Sequence, residues 1–171
     1  MTPMAKSASA LALLLQLGLA PTATQAQDAA ALKAEIDALR ALVPSQSHAM
    51  MDVDYQFSNL WFAAANQNWP LAQFYLNETR SHLNWAVRIR PVRRLSTGGE
   101  FDLRPMLQSV ESSALASLRG AIDKRDRTNF EKAYRQTMDA CFACHQAAEK
   151  PYLRPHVPEA PSSRMIDFRP K

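Results

Sequence analysis

Five consecutive residues, Cys141-Phe142-Ala143-Cys144-His145, hold the densest chemistry in the sequence. Two thiols and an imidazole at C-x-x-C-H spacing form the attachment signature of a c-type haem. The thiols add across two porphyrin vinyl groups, and the imidazole beside the second thiol becomes the proximal iron ligand. The spacing suits a helix, because positions i, i+3 and i+4 share one face and present anchors and ligand together. These are the only two cysteines in 171 residues, so no disulfide framework competes for them. A structural zinc site would need a fourth ligand, and none follows the motif at a usual spacing. A thioredoxin-like C-x-x-C belongs after a strand in a βαβ pattern, which the sequence lacks. A chance match inside a core helix is the remaining reading. The expectation is one covalent haem c on Cys141 and Cys144, with His145 on the iron.

The rest of the chain must position that face. Residues 1–26 read as a secretory leader: Lys6 is a short positive region, and Ala8 to Leu19 is an apolar run too short to span a bilayer. Thr24-Gln25-Ala26 sets cleavage after Ala26, and 171 less 26 leaves 145 residues, enough for one domain with its own core. Export to a bacterial periplasm fits the pentapeptide, since bacteria attach haem to such motifs outside the inner membrane. The formal charge of +4 includes Lys6 and falls to +3 without the leader, and two propionates would bring it near neutrality. Nothing here recommends nucleic acid. With 47% hydrophobic residues and four glycines, the composition is that of a helical globular chain, soluble once the leader is removed.

Hydrophobic periodicity then lays out helices. Residues 27–44 hold a short amphipathic helix with Leu32, Ile36, Leu39 and Val43 on one stripe, ended by Pro44. That stripe packs on the domain or on a second copy in a homodimer. Residues 45–150 read as the haem domain. Its first helix, capped by Ser45 or Ser47, carries the seam Met50, Val53, Phe57, Leu60 and Ala64. After the turn 66–69, Pro70 opens a second helix whose inner side is Leu71, Phe74, Tyr75, His82, Trp85 and Ile89. Such an aromatic stripe is more often core than cofactor lining. Residues 92–100 read as a loop with Gly98-Gly99. Asp102 caps a third helix along Leu103, Leu107, Val110, Ala114, Leu118 and Ile122, and a capping box at Thr128-Asn129-Phe130-Glu131 opens the fourth. Residues 151–171 form an extended proline-rich tail anchored by Tyr152 and Leu153.

Four amphipathic helices on short links make an all-α, antiparallel four-helix bundle with an extra N-terminal helix. Up-down connectivity brings the start of the first bundle helix, the end of the second and the start of the third to the end that holds His145. The layout resembles the class II cytochromes c, the cytochrome c′ group, over roughly residues 45–150, its specific motif being Cys141 to His145. Leu60-Trp61-Phe62-Ala63 with Asn68-Trp69-Pro70-Leu71-Ala72 also looks like a group of exported bacterial cytochrome-c-like proteins. The extra helix and the tail depart from the c′ pattern. The resemblance implies haem on the last bundle helix and dimers that often use the first two.

The sixth iron position separates two functions. Met50 on the inner seam would make a low-spin, higher-potential electron carrier, with Met51 and then His82 as fallback ligands. An open position, walled by Val53, Phe57 and Trp85, would instead bind or sense small gases such as NO or CO, as several c′ members do. The pattern favours single-electron transfer, and no acid–base pair suggests an enzyme. Arg88, Arg90, Arg93, Arg94 and Arg104 gather at the haem end. They are either a solvated loop, or contacts for the propionates (Arg88, Arg93, Arg94) and for an acidic redox partner protein.

Overall fold

A computed structural model describes residues 23–170, so the leader expected over 1–26 lies outside the described residues for all but its last four positions. Helix α1 spans Ala23–Leu42, and the chain divides into two compact units between Val43 and Pro44. In the first unit α1 begins ahead of the helix expected from Asp28, and every residue from Ala26 to Ser45 is exposed.

The second unit is all-α apart from one small hairpin: α2 (Gln46–Ala65), α3 (Trp69–Ile89), β1 (Val92–Arg94), β2 (Glu100–Asp102), α4 (Leu103–Ser112), α5 (Ala114–Asp123) and α6 (Arg127–Ala147). α2 packs most extensively on α3 and α5 on α6, while α3 meets both α4 and α5. Gln46 at the start of α2 donates to Ala86 O near the end of α3 at 2.8 Å, so these two run in opposite directions. On the far side of α3, Asn77 accepts from Arg119 at 2.7 Å and Asn84 donates to Glu111 at 2.8 Å, which sets α5 and α4 antiparallel to it. α6 meets α2 where Phe57 stacks on Tyr134, with centroids 4.2 Å apart, and where Trp61 tilts on Phe130 one turn away. The core is Leu60, Leu76, Leu115, Leu118, Phe130 and Tyr134, all at most 2% exposed. Ala63, Ala64 and Ala72 are buried between them and let α2 and α3 approach closely.

Several expectations are corrected. The single third helix is two helices broken at Ser113, where φ is −116° and ψ −81°. The hydroxyls of Ser112 and Ser113 both donate to Ser109 O, at 3.3 and 2.6 Å, and side-chain competition for a helical carbonyl bends the chain there. The loop at 92–100 contains a two-stranded antiparallel ribbon pairing Val92 with Asp102 and Arg94 with Glu100, turned by Gly98 at φ 88°. The capping box does not form. Asp126 caps α6, accepting from Asn129 N at 3.0 Å, and Glu131 pairs with Arg127 instead. Asp102 caps α4 as expected, accepting from Arg104 N at 2.9 Å. On α3 the buried face is Ala72, Tyr75, Leu76, Thr79 and Ala86, whereas Phe74 and Trp85 are exposed. Small residues pack closest, so the bulky rings are turned to the rim.

The tail after Lys150 is extended; Tyr152 is 72% exposed and does not anchor it, while Leu153 holds through its main-chain carbonyl and not its exposed side chain. Further anchors follow. Ser163 N donates to the buried Asn59 Oδ1 at 3.0 Å, and the Phe168 ring lies 6.2 Å from both Phe62 and Tyr75.

Candidate functional site at the end of α6

Cys141, Cys144 and His145 lie in the last two turns of α6, all partly buried. α6 ends in a Schellman motif: Lys150 N donates to His145 O at 2.8 Å and Glu149 N to Gln146 O at 3.0 Å, with Glu149 left-handed at φ 58°. The reversal sends residues 150–153 back along the helix, where Leu153 N closes a turn on Lys150 O at 3.0 Å. Its result is a contact between His145 Nδ1 and Leu153 O at 2.6 Å. A carbonyl oxygen only accepts, so Nδ1 carries a proton, and in the neutral ring Nε2 then holds the lone pair. That arrangement is the one that would fix an imidazole for metal binding in both tautomer and orientation.

The thiols are held protonated, without the depressed pKa of a reactive nucleophile. Burial pushes the Cys141 thiol up to about 12, with neighbouring Cys144 adding to the rise, and burial raises Cys144 as well. Both stand at the C-terminal end of a helix, where the backbone dipole opposes a thiolate. A redox C-x-x-C requires the reverse, a thiol lowered at a helix start. Among the described residues no group of three or more His, Cys, Asp or Glu side chains is placed to hold a metal ion. The three motif residues, at i, i+3 and i+4, share one helical face of α6.

The arginine cluster separates. Arg93 is half-buried beside the motif, where its charge reaches Cys144, and Gln46 Oε1 accepts its hydrogen bond. Gln46 in turn donates to Ala86 O and Arg90 O, so one side chain joins α2, α3 and Arg93. Ser96 fastens the ribbon to α6 by donating from N and Oγ to the Glu149 carboxylate, each at 2.7 Å. Arg94 is exposed beside it. Arg88 and Arg104 instead line a groove of about 430 Å³ between α3 and α4, with Pro91, Leu107 and Glu111. None of the motif residues borders that groove, so the concavity and the chemistry are in different places, and the chemistry defines the site.

The candidate sixth ligands also separate. Met50 is half-buried between Ala49 and Val53 on the buried side of α2, whereas Met51 is exposed. The pairs Phe57–Tyr134 and Trp61–Phe130 set the register of α2 on α6, and extended by seven residues toward the start of α2 and the end of α6 that register would match position 50 with position 141. His82 lies between carboxylates, 3.6 Å from Asp52 and 3.8 Å from Glu78, with Trp85 alongside. Phe57 is committed to its stack on Tyr134 and Trp85 is exposed, so the wall expected from Val53, Phe57 and Trp85 is reduced to Val53. Two participants carry no sequence signal. Gln46 belongs to no motif, and the Leu153 contribution is a backbone carbonyl.

No family model, curated protein or solved structure matches the chain.

Proposed function

We propose that this chain is a c-type cytochrome of the four-helix, class II kind, with one haem c held through Cys141 and Cys144 and its iron bound by His145. Within that class it acts as an exported, periplasmic single-electron carrier with Met50 as the sixth ligand. One observation carries the reading: His145 gives its Nδ1 proton to Leu153 O at 2.6 Å and so keeps Nε2 for a metal, on the helix face that also holds both thiols. When bound, the haem would supply reversible one-electron chemistry at iron. The chain's own contributions are two thioether anchors, an oriented imidazole and a half-buried Arg93 for a propionate. The exposed Arg94 and Arg90 face an acidic redox partner, where charge speeds encounter. Among the described residues no helix is long and apolar enough to cross a membrane.

A five-coordinate module that binds or senses NO or CO is the second reading, favoured by the buried, apolar Val53 next to Met50. Extraction with acid acetone tests the shared premise. Haem should stay with the denatured wild-type polypeptide and be lost from the variant carrying Cys141→Ala and Cys144→Ala. Free haem recovered from the wild type overturns both readings.

A further inference from the structure

Helix α1 presents an apolar stripe that nothing in its own unit covers: Leu32 is 58% exposed, Ile36 39% and Leu39 64%. Ala29, Leu32, Ile36, Leu39 and Val43 are spaced three, four, three and four, the a and d positions of two heptads. The residue types are not arbitrary. Within α1 the β-branched Ile36 falls at a and Leu32 and Leu39 at d, the combination that favours two parallel strands, and Val43, one residue past the helix end, continues the spacing.

The flanking charges name the occupant. Asp28 and Glu35 stand at g; Lys33 and Arg40 stand at e. In a parallel, in-register pair each g residue faces the e residue five positions on in the partner helix. Asp28 then meets Lys33 and Glu35 meets Arg40, opposite signs in all four symmetry-related pairs. In an antiparallel pair e faces e and g faces g, which sets Lys33 against Arg40 and Asp28 against Glu35, like signs throughout. Within one helix, Lys33 and Arg40 both reach Asp37, at 2.7 and 3.2 Å, while Asp28 and Glu35 have no ion-pair partner among the described residues. The acids left over are the ones a second copy would use.

We propose that α1 pairs with the same helix of a second copy of this chain as a parallel, in-register two-stranded coiled coil. A helix this short is marginal alone in water, so helix formation and association are coupled. Only residues 28–43 are needed, so the pairing survives leader cleavage after Ala26.

Sedimentation equilibrium of the full chain at low salt, across a concentration series, tests this. The wild type should self-associate to a dimer, and Ile36→Asp should leave it monomeric with the second unit's helicity unchanged. Lys33→Glu should weaken the dimer, by roughly three- to tenfold in dissociation constant, through two like-charge pairs. Adding Asp28→Lys should recover most of that loss, which separates the interchain pair from the lost Lys33–Asp37 bond. A monomeric wild type, or a dimer indifferent to Ile36→Asp, overturns the proposal. A dimer tightened by Lys33→Glu overturns the parallel arrangement in favour of the antiparallel one.

Discussion

Tyr134 holds Phe57 twice: its ring stacks on the Phe57 ring at an interplanar angle of 6°, and its hydroxyl donates to the Phe57 carbonyl at 3.0 Å. A hydroxyl buried this deeply needs that acceptor, and burial pushes its pKa far up, so it stays protonated and donating. Because the stack and the bond reach different atoms of one residue, α6 cannot slide along α2 without losing both. Tyr134→Phe keeps the stack and leaves the carbonyl without its donor. It should cost about 1–2 kcal/mol in urea unfolding.

With that register fixed, Met50 is the ligand to test. In the haem-loaded protein the wild type should be low-spin in both oxidation states, with the weak long-wavelength band of sulfur bound to ferric iron. Met50→Ala should abolish the band, turn the iron high-spin and admit carbon monoxide. A wild type already high-spin and open to the gas assigns Met50 to packing. An unchanged low-spin spectrum moves the assignment to Met51 and then to His82.

The contact between His145 and Leu153 should set the redox potential. An imidazole that donates from Nδ1 is a stronger electron donor through Nε2 and favours the ferric state. Leu153→Pro removes the Leu153 N–H bond to Lys150 O that seats the carbonyl. The midpoint potential of the loaded protein should rise, by roughly tens of millivolts. No shift would mean that the carbonyl does not act on the ligand.

The ribbon should loosen in acid. The Glu149 carboxyl sits below its usual 4.5 because Ser96 donates to it from both side chain and backbone. A depressed folded-state pKa contributes stability that is present above 4.5 and lost as pH falls through the lower folded value. Amide exchange at residues 94–99 should therefore accelerate below pH 4.5 relative to the rest of the unit. Glu149→Gln should show the faster exchange already at neutral pH.

Backbone conformation supplies a pair of opposite predictions. Arg125 is left-handed at φ 55° between α5 and α6, where Asp126 N donates to Ala121 O. Arg125→Gly should stabilise by about 0.5–1 kcal/mol, the relief of side-chain crowding less the added freedom of the unfolded chain. Gly98→Ala should destabilise by a similar amount, about 1 kcal/mol, although nothing lies within 4 Å to clash, because the cost is conformational. Thermal melts of both variants check the signs.

The C-x-x-C-H motif and the all-α class were legible because each rests on spacing, whereas the expected third helix is two and the arginines expected together are split between the motif and the α3–α4 groove. C-x-x-C-H needs only i, i+3 and i+4, and the seams of α2 and α6 repeat at helical period. The misses share a physical cause: they depend on competition between local options. At Ser113 the helix breaks where the Ser112 and Ser113 hydroxyls and the Ser113 N–H all converge on Ser109 O, which periodicity cannot register. Asp126 wins the cap of α6 from Thr128 by two positions. The buried face of α3 is set by how closely Ala63, Ala64 and Ala72 let two helices approach, so Phe74 and Trp85 rotate outward despite their hydrophobicity. Leu153 enters the site through a main-chain atom, invisible to any reading of side-chain types.

The tail has a bearing on the order of events as the chain is synthesised. Ser163 satisfies Asn59 and Phe168 lies against Phe62 and Tyr75, all on the α2–α3 hairpin, the earliest part of the second unit to emerge. That hairpin therefore waits with bare ring faces and an unpaired Asn59 amide while about 75 further residues are delivered. The thiols and imidazole of α6 arrive within this interval, before residues 163–168 can close. Attachment of a group to the pentapeptide would thus have a natural window, in which the chain is long enough to expose those residues and still too short to lock itself shut.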